Sequence, residues 1–150
     1  MTSKLVLDNL AGRTTAGSIS VVGEGNSTTT NLQNGLVKAW TYFDGSTGSL
    51  SGADSLNESS VTDHATGDYT FTITNAMGNT NYASLSNPMC EDNHGRGPIC
   101  LGLRVDGSNN ASTNTTTARR FECLFGGDQS TSGGAQDTKN ATVVFIGDLA

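Results

Sequence analysis

Apolar and polar residues alternate most strictly where Tyr69, Phe71 and Ile73 are interleaved with Thr70, Thr72 and Thr74. That period of two marks a strand with one buried face. Residues 59–62 precede it across the turn-like stretch 63–68, so the whole segment predicts a hairpin. Residues 36–44 form a second strand. Leu36, Lys38, Trp40 and Tyr42 fall on one parity and Val37, Ala39, Thr41 and Phe43 on the other, and parity alone leaves open which face is inside. Further strands are predicted at 81–86, 99–105, 116–125 and 142–146. The connections at 88–98, 106–115 and 126–137 are long and polar, as binding or contact loops tend to be. Seven or so strands punctuated by turns predict an all-β, antiparallel β-sandwich or jelly-roll-like domain. The edges of such sheets need cover, which a partner subunit can supply.

The first 35 residues read differently. Leu5-Val6-Leu7 and residues 18–22 are short apolar runs that predict two short strands separated by glycine-containing turns. Between Val22 and Leu36 only Leu32 is large and apolar, so this stretch cannot enclose a core of its own. Residues 1–35 are therefore expected to form an N-terminal arm, lying against its own domain, a symmetry mate or a docking partner. Residues 36–150 are expected to form the β-sandwich domain.

Composition sharpens this division. Thr, Ser and Asn supply 51 of 150 residues while Glu and Lys are scarce, which excludes a helical bundle for want of helix formers on its exposed faces. Leu, Ile, Val and Phe together number 29, a thin core, yet a net charge of −6 is too mild for a disordered chain. The expectation is a folded domain that completes its buried surface by association. Eight basic residues and a pI near 4.6 provide no basic stripe for phosphates, so no nucleic-acid partner is expected. No apolar run approaches the roughly 18 residues of a membrane span, and the start lacks the apolar region of a signal peptide.

Groups able to do chemistry are few. The histidines are His64 and His94, no Gly-x-Ser-x-Gly or phosphate-cradling glycine motif occurs, and no carboxylate pair stands out. No catalytic residue, metal or cofactor is expected. The densest cluster runs from Cys90 to Cys100 and admits three readings. Cys90, His94, Cys100 and Cys123 would ligate zinc only at a spacing unlike common knuckles. A Cys90–Cys100 disulfide would staple the loop, worth roughly 3 kcal/mol, but an odd third cysteine and no signal peptide point to a reducing compartment. Otherwise the three pack as small apolar side chains. Asp92, His94 and Arg96, with Asn109 and Asn110 in the next loop, offer mixed donors and acceptors suited to glycan hydroxyls. Arg119 and Arg120 are expected as an exposed pair on opposite strand faces, one of them available for an inter-subunit ion pair. Asn-x-Ser/Thr sequons, including those at Asn57 and Asn140, are expected from composition alone.

An ordered set of motifs adds a resemblance. Lys38-Ala39-Trp40, Phe43-Asp44-Gly45, Ser55-Leu56-Asn57, Thr66-Gly67-Asp68-Tyr69-Thr70, Ala76-Met77 and Asn81-Tyr82 follow one another in close order. Over residues 36–82 the chain resembles a module of tail-fibre-like and other virion surface proteins of bacteriophages, often phages of marine bacteria. The opening residues 5–19 are loosely similar to the start of short proteins from such phages. The resemblance implies a virion structural protein of β fold, commonly a homotrimer, assembled in the bacterial cytoplasm and carrying no catalytic residues. Its partners would be copies of itself, other virion proteins of tail, neck or capsid, and a host-surface glycan or protein. A short tail fibre or head fibre is the first expectation, a capsid decoration protein the second and a polysaccharide-cleaving domain the third. Trp40, Tyr42, Phe43, Tyr69, Phe71 and Ile73 are the candidates for core or trimer contacts.

Overall fold

The computed structural model describes residues 4–12, 19–22, 29–32, 35–47, 54–90, 99–104, 114–126 and 133–148. The chain divides into two compact units, Met1–Leu36 and Val37–Ala150. In the first, β1 (Ser20–Val22) and β2 (Thr29–Asn31) pair antiparallel with Ser20 opposite Asn31. The strand expected at Leu5–Leu7 does not form. These residues belong to no element, and Leu5 and Val6 are 81% and 74% exposed. Three apolar residues without a partner ladder have neither backbone pairing nor burial to hold them extended.

The second unit is all-β among the described residues, with every pairing antiparallel. One sheet has four strands in the order β4 (Asp54–Leu56), β3 (Val37–Phe43), β11 (Thr138–Ile146) and β7 (Ala83–Cys90). The other has five. β9 (Ala118–Phe125) takes β8 (Ile99–Leu103) on one edge, and β6 (Asp68–Ile73) and the two-residue β10 (Gly134–Ala135) on the other. β5 (Glu58–Ala65) pairs with β6 and forms the outer edge.

The sheets share one core because alternate residues of four central strands turn inward. Ala39, Thr41 and Phe43 come from β3, Ala141, Val143 and Phe145 from β11, Tyr69, Phe71 and Ile73 from β6, and Phe121 and Cys123 from β9. Edge-to-face contacts run from Phe43 to Tyr69 and Phe71 at centroid distances of 5.2 and 5.0 Å, and from Phe71 to Phe121 at 5.3 Å. Phe121 stacks on Phe145 at 6.2 Å, so the aromatic chain crosses between the sheets and returns.

The expected hairpin forms, with its turn narrowed to Thr66 and Gly67 between Ala65 and Asp68. Gly67 sits at φ +70°, and a Cβ there would lie 2.7 Å from Gln136 O and 2.8 Å from Cys123 O, so glycine is required twice over. Three boundaries correct the sequence reading. β7 continues through Pro88 to Cys90, where a connection was expected, because an edge strand loses no ladder bond to proline. β11 starts at Thr138 and β9 at Ala118. Short strands β2, β4 and β10 were not foreseen, since two or three polar residues carry no readable period.

Candidate interaction face

Inward parity on β3 and β11 sends Trp40, Tyr42, Thr142 and Val144 to the outer side of the four-stranded sheet. The register then lines residues up across all four strands. Leu56 is opposite Trp40, Trp40 opposite Val144, and Val144 opposite Leu85. This apolar row has ends that stand well into solvent, with Leu56 47% and Leu85 59% exposed. Trp40 and Val144 are half-buried. The next row is Asp54, Tyr42, Thr142 and Asn87, joined by the same pairings. Tyr42 is exposed and donates its hydroxyl to Asn140 Oδ1 at 2.6 Å, and Asn140 lies opposite exposed Met89 of β7. Leu85, Ser86, Asn87, Thr142 and Val144 surround a shallow depression of about 120 Å³. Asp54 is the one charged residue in these two rows. The face offers apolar and aromatic surface with a few amides and hydroxyls.

The outer side of the five-stranded sheet has the opposite character. Arg120 grips the Asp68 carboxylate with two hydrogen bonds of 2.7 Å, and Arg104 pairs with Asp68 Oδ2. The Arg120 hydrogen bonds hold the Asp68 carboxyl below its ordinary range, against the opposing effect of burial. His64 Nε2 lies 2.9 Å from Thr70 Oγ1 on the neighbouring strand. This network ties β5, β6, β9 and the end of β8 together.

Inside the sandwich, Tyr69 donates to Asp137 Oδ1 at 2.9 Å, and the same oxygen accepts Gly67 N at 2.7 Å. Burial first, and then the Asp137 carboxylate, raise the Tyr69 phenol far above its usual value, so it serves as a donor and not as an acid. The two arginines do lie on opposite faces, but they are not an exposed pair. Arg119 is 5% exposed. It donates to Asn114 Oδ1, Ser84 Oγ and Thr80 O at 2.9–3.0 Å, with its guanidinium 3.8 Å from the Tyr82 ring centroid. Arg120 makes its ion pair within the chain, to Asp68.

Of the candidate contact residues, Phe43, Tyr69, Phe71 and Ile73 are core, while Trp40 and Tyr42 belong to the outer face. Cys123 is fully buried among the core aromatics. The backbones of Cys90 and Cys100 pair with Thr138 and Leu124. Their side chains, and Asp92, His94, Arg96, Asn109 and Asn110, lie outside the described residues. Sequence reasoning missed Leu56 and Leu85, because each is a lone apolar residue in a polar stretch and only the register joins them to Trp40. It also passed over Asn57, whose sequon hid a structural position. Asn57 sits at φ 58° between β4 and β5, donates from Nδ2 to Lys38 O and Asn75 O, and accepts Asn75 N at 2.7 Å. Compared with protein-family profiles, curated proteins and solved structures, the chain matches none of them.

Proposed function

We propose that this protein is a structural component of a bacteriophage particle surface, a homotrimeric appendage of the short tail-fibre or head-fibre type. Residues 1–35 dock it on other virion proteins, and residues 36–150 point outward toward a host-surface glycan or protein. The observation that carries this reading is the apolar row Leu56, Trp40, Val144 and Leu85, left facing solvent in a chain whose surface is otherwise rich in Thr, Ser and Asn. Contiguous exposed apolar surface of this kind marks an interaction site. The motif resemblance over residues 36–82 supplies the phage context, and the exposed Leu5, Val6, Leu7 and Leu10 supply a segment with apolar groups available for docking.

Quantitative mass spectrometry of purified particles tests the proposal. The chain is expected there at tens of copies, in multiples of three. Hundreds of copies would replace the appendage with a capsid decoration protein, and absence from particles would end the virion reading. Deletion of residues 1–35 is expected to abolish incorporation while leaving soluble protein. Truncated protein that still joins particles would overturn the docking role of the arm.

A further inference from the structure

We infer that the outer face of the four-stranded sheet is the inner wall of a three-copy prism, with Leu56 of each copy packed against Leu85 of the next. The inference rests on the homotrimer reading and names the surface that makes it. Four strands spaced about 4.8 Å apart give a wall about 19 Å wide. Three such walls closed into a triangle stand about 5.5 Å from the common axis, close to half of the about 10 Å that separates two packed sheets. The interior of the prism is then the thickness that one layer of side chains from each wall fills. A wall much wider would leave a channel along the axis.

The row order suits this closure. Trp40 and Val144 stand on the two central strands and reach toward the axis, while Leu56 and Leu85 stand on β4 and β7, where neighbouring walls meet. The depression beside Leu85 and Val144 is open to receive Leu56 of the adjoining copy. One layer further along, Tyr42 and Thr142 take the central positions, and Asp54 falls at the corner beside Asn87 of the neighbour. The single charge of the two rows thus lies at a solvent-accessible edge and not on the axis. Apart from Asp54 these two rows are uncharged in a chain of net charge −6, so like copies can meet along them with little repulsion. Closure also gives the three-residue edge strand β4 a neighbour, which a face-to-face pair of copies would not do.

The test combines sedimentation of the wild-type protein at tens of micromolar with mild oxidation of a Leu56→Cys, Leu85→Cys double variant. Wild-type protein and the two single variants serve as controls for the natural cysteines. The expected result is a wild-type trimer and a covalent ladder of the double variant ending at three copies. A ladder ending at two copies overturns the prism in favour of a face-to-face pair. A wild-type trimer without a ladder in the double variant overturns the assignment of this face and leaves the homotrimer standing. A wild-type monomer overturns both. Val144→Glu provides an independent arm, since its side chain points away from the core. It is expected to keep the wild-type circular dichroism spectrum while raising the concentration needed for trimer formation at least 100-fold. A folded Val144→Glu protein that trimerises like wild type overturns the inference.

Discussion

Single residues show where this core is under tension. Thr41 turns inward between Ala39 and Phe43, 3% exposed, and its hydroxyl is buried with no hydrogen-bond partner. Thr41→Val keeps the shape and removes the stranded donor, so we expect a gain of about 1 kcal/mol in urea unfolding. Asp68 is the reverse case, a nearly buried carboxylate on which two arginines converge. Asp68→Asn is expected to cost about 2 kcal/mol at pH 7, in line with charge-assisted hydrogen bonds. The folded carboxyl is depressed below its unfolded value. Its stabilisation is therefore complete above the unfolded value of about 4 and is lost as pH falls through the folded one. The gap between wild-type and Asp68→Asn melting temperatures should narrow steadily below pH 4. A gap that stays constant to pH 2 would show that Asp68 contributes through packing and not through charge.

Between elements, the decisive feature is the corner at Asn57, where the chain leaves β4 in one sheet and enters β5 in the other. The left-handed backbone there suits Asn and Gly, and the side-chain amide clasps Lys38 and Asn75 across the corner. Replacing Asn57 with glycine keeps the backbone but loses the clasp, at an expected cost of about 1.5 kcal/mol. Alanine loses both and is expected to cost about 1 kcal/mol more. Equal costs in chemical denaturation would mean that the backbone conformation carries none of the effect. The edge strands show a related economy. β5 has register shifts near both ends and carries Asp63 and His64, and β7 carries Pro88, devices that keep exposed ladders from recruiting a stranger.

For the molecule as a whole, the consequence of an uncovered face is a stability that depends on company. If copies close on the row Leu56, Trp40, Val144 and Leu85, the melting temperature should rise with protein concentration by mass action. The folded Val144→Glu variant should melt at one temperature over the same range. Differential scanning calorimetry between 1 and 100 µM, a span of about two decades, would detect the contrast. A concentration-independent wild-type transition would indicate a domain stable without neighbours.

Much of this architecture was legible in the order of residues. Strict alternation at Tyr69, Phe71 and Ile73 fixed a strand and its buried side, because a period of two admits only one such face. The scarcity of helix formers fixed an all-β class. Parity also placed Arg119 and Arg120 on opposite faces. What sequence left open were the questions that need a second strand to answer. Whether Trp40 or Phe43 faces the core depended on which side of β3 met the other sheet. Arg119 was expected in solvent and became buried once Thr80, Ser84 and Asn114 converged on it from distant segments. Leu56 and Leu85 joined Trp40 only through the pairing of four strands drawn from across the domain. Local pattern sets which residues alternate, but register and sheet packing are long-range choices, and they alone decided which apolar groups were enclosed and which were left facing outward.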